Sequence, residues 1–370
     1  MTPFALALPA RILFGRGEAA KAPDLIRAFG PRGLIVHGAD PARARWLVEA
    51  LGADTLACAE EPTLALLETA LLQARALRPD WIAAIGGGAA LDLGKALAGL
   101  VPQPGAVMDH LEVVGRGLPL TAPPLPFIAI PTTSGTGAEA TKNAVIGVPG
   151  RKVSLRDDRM LARLAIVDPA LTDHCPWPVT LASGLDAVTQ VIEPYLSARA
   201  NPITDALCRP AIARGLAALT GLRAVEHPDL RDALALTSLT GGIALANAGL
   251  GAVHGLAGVI GGVTGAAHGA ICGALLAPVL QMNAAALPED AKIADLRRII
   301  ADVLEVRPAD AFTALGDWAR GAGLPGLRAL GLDPADHAAV AEAALASSSM
   351  KGNPAPVGTG LLIDAMVAAG

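Results

Sequence analysis

Residues 80–95 read DWIAAIGGGAALDLGK. The apolar run Trp81–Ile85 ends on Gly86, Gly87 and Gly88 and passes at once into an Ala/Leu segment ending at Lys95. A short apolar run bounded by glycine reads as a strand buried on both faces, and the segment after it reads as a helix. Glycines at such a junction let the backbone approach a bound group closely. The helix N-terminus beyond them offers free N–H groups and a partial positive charge, which suits a pyrophosphate. Glycines also serve as plain turn residues at strand–helix junctions, so this one gains its meaning from its neighbours.

Working outward, further strand-like runs lie at 11–15, 33–38, 54–59, 126–133 and 163–169, with helical stretches at 40–52 and 61–77. Alternation of this kind predicts an α/β domain with an open, mostly parallel sheet, whose ligands bind at the carboxyl ends of the strands. A second signal follows the 126–133 run. Thr132, Thr133, Ser134 and Thr136, with Gly135 and Gly137, crowd a loop with hydroxyl groups able to hydrogen-bond phosphate, ribose or carboxamide. The plainer reading is a Ser/Thr-rich turn capping a helix that starts near Ala138. The patterns Gly15-x-Gly17-x-x-Ala20 and Gly135-x-Gly137-x-x-Ala140 imitate the dinucleotide fingerprint but carry no weight as such.

After the proline-rich HCPWPVT at 174–180 almost nothing reads as a strand, and Ala/Leu/Ile-rich stretches run to the C-terminus. The expected organisation is an α/β nucleotide-binding domain over 1–176 and an all-helical domain over 177–370. Apolar residues make up 52% of the 370 and charged ones 17%, which excludes a disordered chain. The net charge of −5, with no basic run, argues against nucleic-acid or anionic-membrane partners. Cys58, Cys175, Cys208 and Cys272 form no C-x-x-C pair and read as reduced thiols of a cytoplasmic protein. No basic region precedes the apolar N-terminus, as a signal peptide would require. Residues 243–280 hold no Asp, Glu, Lys or Arg, yet glycines, two histidines and an asparagine interrupt them, so buried core helices are expected there and no membrane span.

Within that uncharged segment His254 and His268 need a reason, because polar groups there must be satisfied. On one unbroken helix their spacing would part them by about 21 Å. Gly258, Gly261, Gly262 and Gly265 are expected to break it, letting a helix–turn–helix bring both imidazoles together. Upstream, residues 183–193 read as a helix N-terminal region with Asp186, Gln190 and Glu193 on one face. An acid with two converging histidines suits a divalent metal such as Fe or Zn. The competing reading is a capping Asp beside two hydrogen-bonded core histidines.

Taken together, these segments resemble the iron-containing alcohol dehydrogenase family, which includes maleylacetate reductases. The resemblance runs from Arg11-Ile12-Leu13-Phe14-Gly15-Arg16-Gly17 through Gly86-Gly87-Gly88, Asp92 and Lys95 to Pro131–Thr136 with Glu139, Lys152 and Val167-Asp168-Pro169. It continues through Gly184-Leu185-Asp186-Ala187, His254, His268 and Asn353-Pro354. It implies an N-terminal dinucleotide domain followed by a helical domain, as in dehydroquinate synthases. It also implies hydride transfer between NAD or NADP and an alcohol, aldehyde or ketone, in a homodimer or larger assembly. Gly86, Gly87 and Gly88 would meet the pyrophosphate, Asp92 the nicotinamide side, Thr132, Thr133, Ser134 and Thr136 the cofactor, and Lys152 the ribose. Asp186, Gln190, His254 and His268 would hold the metal, with Asp186, His254 and His268 serving catalysis.

Three positions depart from that pattern. Gln190 stands where metal-binding members usually carry His, and an amide oxygen is a poorer ligand for Fe or Zn than imidazole. Glu193 would compensate as a ligand or stand behind one. Gly258 stands where many members carry a further His near the substrate. Gly38 replaces an acidic residue after the second strand, so nothing obvious repels a 2′-phosphate and NADP remains open. The alternatives are a metal-independent maleylacetate-type reductase using Arg156 or Arg159 for carboxylates, a lyase of the dehydroquinate synthase kind, which sparse basic residues over 177–280 argue against, and a nucleotide-binding protein without catalysis.

Overall fold

The computed structural model describes residues 3–370. By its internal contacts the chain forms two compact units. One comprises Ala7–Thr133 and Gly137–Asp173; the other takes in His174–Gly370 together with Ser134–Thr136. The short loop that reads as a cofactor lining is thus divided, with Thr133 in the first unit and Ser134 in the second.

The first unit is built from β1 (Ile12–Phe14), α1 (Ala22–Arg27), β2 (Gly33–His37), α2 (Arg45–Leu51), β3 (Asp54–Ala57), α3 (Leu64–Leu77), β4 (Trp81–Gly86), α4 (Gly88–Leu100), β5 (Phe127–Pro131), β6 (Asn143–Val148), β7 (Arg151–Arg156) and β8 (Leu164–Val167). Six of these strands form one sheet in the order β1-β8-β5-β4-β2-β3, and each pairing in it is parallel. Side chains alternate across a strand, and here both faces are covered. Leu34, Val36, Ile82, Ala84, Phe127 and Ala129 pack into the core containing α3 and α4 residues. Their neighbours Ile35, Ala83, Ile85, Ile128 and Ile130 pack into the core containing α1 and α2 residues. Helix α4 lies close on the sheet because Gly94 carries no side chain: a Cβ there would stand 2.8 Å from Ala84 Cβ and 3.2 Å from the Phe127 ring.

The plainer reading of the 132–137 loop, a cap for a helix starting near Ala138, fails. Residues after Gly137 form only a 3-10 turn, Ala138–Ala140, before the chain extends into β6. The β-branched run over 143–148 pairs antiparallel with β7, so no helix propagates from Ala138. That hairpin was not expected from the sequence.

The second unit is helical: α5 (Trp177–Leu196), α6 (Pro202–Ala224), α7 (Pro228–Ala248), α8 (Ala252–Thr264), α9 (His268–Ala286), α10 (Ala291–Leu304), α11 (Ala311–Gly321), α12 (His337–Leu345) and α13 (Thr359–Ala368). Helix α5 packs against α6, α7 and α9, and α8 against α9 and α12. Residues 183–193 are therefore the interior of α5 rather than its N-terminal region. Pro176 and Pro178 start the helix earlier, where a missing N–H costs nothing. The uncharged 243–280 segment breaks twice. Gly249, at φ 72°, ends α7, and the chain turns by 101° into α8. Gly265, at φ 69°, ends α8, whereas Gly258, Gly261 and Gly262 lie inside it. Helix α9 is long and apolar enough to cross a bilayer, but 61% of that window is buried inside the fold, which makes it a core helix of this unit.

Candidate active site

Helix α5 carries Asp186, Gln190 and Glu193 on one stripe, and all three are buried. The approach of neighbouring helices to this stripe depends on glycines. A Cβ on Gly269 would collide with the Ala182 carbonyl and lie 3.2 Å from Asp186 Cβ. One on Gly273 would stand 2.7 Å from Leu185 Cδ1, and one on Gly241 would stand 2.9 Å from Gln190 Cβ. Helix α9 therefore begins directly beside Asp186, which places His268 and, one turn on, Cys272 against it.

Helix α8 delivers His254 from the other direction. Its first turn is capped from a distance: Glu193 Oε1 accepts from the Val253 N–H at 2.7 Å, and Asn353 Oδ1 accepts from the Ala252 N–H at 3.2 Å. Asn353 is itself fixed by Asn283 and the Ala355 carbonyl. A carboxylate at a helix N-terminus is favoured by the free N–H groups and the helix dipole. The second oxygen of Glu193 lies 2.6 Å from His254 Nδ1. Glu193 thus stands behind His254 and orients it. With the Nδ1 proton held by Glu193, His254 Nε2 faces Asp186 Oδ1 at 3.3 Å.

Asp186, His254, His268 and Cys272 each offer one ligand atom, and these four atoms lie within 4.8 Å of one another. The imidazole centroids of His254 and His268 are 5.3 Å apart, and Cys272 Sγ lies 3.6 Å from His268 Nε2. Bond lengths of about 2.0–2.3 Å around a tetrahedral cation put its ligand atoms roughly 3.3–3.8 Å apart. The cluster is within about an ångström of that spacing. Asp186 Oδ1 and Gln190 Oε1 are also buried with no hydrogen bond, an arrangement that a cation would satisfy. The donor set fits a divalent metal. Burial raises the Asp186 carboxyl, but His254 and His268 outweigh it and hold the group below the usual carboxylate range. Burial opposes protonation of His254, yet Cys272, Glu193 and Asp186 raise it well above an ordinary histidine. Burial pushes the Cys272 thiol up to about 12. The capping-Asp reading fails, because Asp186 lies in the third turn of α5.

Gln190 does something the sequence did not announce. Its Nε2 donates to the Gly135 carbonyl at 2.9 Å, tying the Ser134–Thr136 loop to α5, while its Oε1 stays unpaired. A side chain on Gly135 would stand 2.9 Å from Ser183 Cβ, so glycine is required for that approach. In sequence Cys272 looks like one more scattered thiol. The signal that finds it is its position four residues after His268 on the same helix face. Gly258 lies one turn beyond His254, and a Cβ there would meet nothing within 4 Å.

In the first unit, Gly87 caps α4 with no side-chain hydrogen bond, at the carboxyl end of β4. A Cβ on Gly86 would stand 2.7 Å from Ala90 Cβ, and one on Gly87 would stand 3.3 Å from Thr133 Oγ1. The Thr132 N–H donates to the Gly86 carbonyl at 2.9 Å, so the two loops that read as cofactor-binding are joined. Lys95 is fully buried and donates to Ala138 O, Thr141 Oγ1 and Asn143 O at 2.6, 2.7 and 2.9 Å. Burial lowers its ammonium to about 8 and raises Asp92 to about 6 and Glu139 to about 7. Lys152 pairs with Glu61. Asp40, two residues after Gly38, accepts from the Ala42 N–H at 2.9 Å as a turn cap, and nothing lies within 4 Å of a Cβ placed on Gly38. Arg156 pairs with Glu112, while Arg159 is held by Asp157 and the Leu120 carbonyl.

Comparison with known proteins adds an independent line. The family model described as iron-containing alcohol dehydrogenase matches residues 9–169, and that of the Fe-containing alcohol dehydrogenase family, C-terminal, matches residues 180–364. Long-chain-alcohol dehydrogenase 1 of Geobacillus thermodenitrificans is 40% identical over 204 residues, 54% of this chain and 51% of that protein, so this match spans about half the relative's length. Lactaldehyde reductase of Escherichia coli is 32% identical over 359 residues, 95% of this chain and 87% of that protein. The solved structure of a 1,3-propanediol oxidoreductase superposes with a TM-score of 0.88 at 28% identity, covering 100% of both chains.

Proposed function

The chain belongs to the iron-containing alcohol dehydrogenase family and is an alcohol dehydrogenase-like, NAD(P)-dependent oxidoreductase, and from that premise we propose that Asp186, His254 and His268 hold a divalent metal at its catalytic centre. The observation that carries this reading is the buried convergence of those three side chains, with His254 turned toward Asp186 by Glu193. Bound there, a divalent cation supplies Lewis acidity toward a carbonyl or alkoxide oxygen, and the nicotinamide gives or takes the hydride.

The chain's own residues do the positioning. Glu193 fixes the ring orientation and tautomer of His254, as carboxylates behind metal-ligating histidines commonly do. Gln190 restrains the Ser134–Thr136 loop. The apolar core around α5, α8 and α9 keeps water from the centre and strengthens each electrostatic contact in it. Residues 1–176 take the role of NAD(P) domain and 177–370 that of metal and substrate domain. Gly86, Gly87 and Gly88 receive the pyrophosphate with the N-terminus of α4. Thr132, Thr133, Ser134 and Thr136 line the cofactor, Asp92 stands at its nicotinamide side, and Lys152 stands at its ribose. Gly38 admits the 2′-phosphate of NADP, because the space over it is open and Asp40 is engaged in capping Ala42. A homo-oligomer in the cytoplasm, acting on small alcohols and their carbonyl counterparts, completes the assignment.

NADPH or NADH oxidation with a panel of short aldehydes and hydroxyaldehydes tests it. Turnover is expected with such substrates. Turnover confined to an unsaturated keto-diacid would replace this reading with the maleylacetate-type one. No oxidation of either nucleotide with any carbonyl substrate would leave a nucleotide-binding protein without catalysis.

A further inference from the structure

We infer that Cys272 is itself a ligand of the metal centre, giving an Asp–His–His–Cys donor set that selects zinc over ferrous iron. The inference rests on the reading that this cluster holds a divalent cation. Helix α9 presents His268 and Cys272 four residues apart on one face, and Gly269 and Gly273 let that face approach Asp186 and Leu185. Cys272 is fully buried, and its Sγ lies within 4.8 Å of the ligand atoms of Asp186, His254 and His268. Independently, Asp186 Oδ1 is buried in the same place without a hydrogen bond, with His254 Nε2 3.3 Å away, so both atoms already face the position the cation would fill.

Gln190 does not compete well for the remaining position. Its amide nitrogen is committed to the Gly135 carbonyl, and its oxygen is a weaker donor than a thiolate toward zinc. Asp186 and the Glu193 carboxylate behind His254 already balance a divalent cation, so what favours the cysteine is its donor strength and position rather than charge. On binding, the thiol S–H bond breaks, the sulfur lone pair goes to the cation, and the proton leaves to buffer. Nothing is oxidised or reduced. A soft sulfur donor shifts preference away from ferrous iron and toward zinc or cobalt.

Cobalt(II) loading of the metal-free protein is the test, because its absorption spectrum reports sulfur ligation without any assay of activity. One equivalent should bind and give an intense near-ultraviolet thiolate-to-cobalt band beside the visible d–d bands. Cys272→Ser should lose the near-ultraviolet band, keep cobalt with at least tenfold weaker affinity, and show a smaller preference for zinc over anaerobic ferrous iron. Gln190→Ala should keep that band. Cobalt bound by the native protein with d–d bands alone would overturn Cys272 ligation while leaving the metal centre standing, and this outcome does not depend on whether the serine variant folds. A native protein that binds no cobalt would overturn the metal centre itself, and the cysteine proposal with it.

Discussion

Glu193 shows how one side chain can serve structure and chemistry together. One carboxylate oxygen caps α8 through Val253 and the other takes the Nδ1 proton of His254, so the start of the helix and the aim of its histidine are set by the same group. Its test is Glu193→Gln. The amide keeps an acceptor for one of these contacts but loses the charge that fixes the tautomer, so metal affinity should fall by about 10–100-fold, read by chelator competition. Complete loss of stoichiometric metal would instead make Glu193 a ligand. From sequence alone both roles stood open, because i, i+4, i+7 spacing places a residue on a face without saying which atom lies nearest the centre. The same blindness hid Cys272. Four scattered cysteines look alike until α9 is seen to begin at His268.

At the scale of elements, the crossing of α5 and α9 sets the geometry of the site. Gly269→Ala puts a methyl into the Ala182 carbonyl and forces α9 away from α5. Such overpacking costs about 1–3 kcal/mol in denaturant unfolding, and metal affinity should fall with it. Gly258→Ala is the control. Its Cβ meets open space inside α8, so stability should rise by about 0.5–1 kcal/mol through helix propensity, with metal affinity unchanged. Equal behaviour of the two variants would show that close helix contact does not position the ligands. The parallel sheet was legible because short apolar runs bounded by Gly, Pro and charged residues announce themselves locally. The β6–β7 hairpin was not, since Asn143–Arg156 mixes charged and apolar residues that only pairing resolves into strands. The start of α5 was read too late. Pro176 and Pro178 are the better boundary signal, nine residues or so before Asp186.

For the whole molecule, the two-part plan and the triad of Asp186, His254 and His268 were legible because the constraint against unsatisfied polar groups is severe in an uncharged segment. The route by which they meet was only partly legible: Gly249 and Gly265 break the helices, while the glycines between them serve close packing or leave space. Gln190 reads as a weakened ligand, and its two ends divide the work: Nε2 ties down a loop while Oε1 stays open toward a cation. The central claim is that metal chemistry survives this substitution. It is tested most directly by elemental analysis of protein purified without added metal, paired with NAD(P)H oxidation before and after chelation. About one equivalent of zinc or iron per chain is predicted, with activity lost on chelation and restored by that metal. Full activity in metal-free protein, unchanged by chelator, would contradict the account.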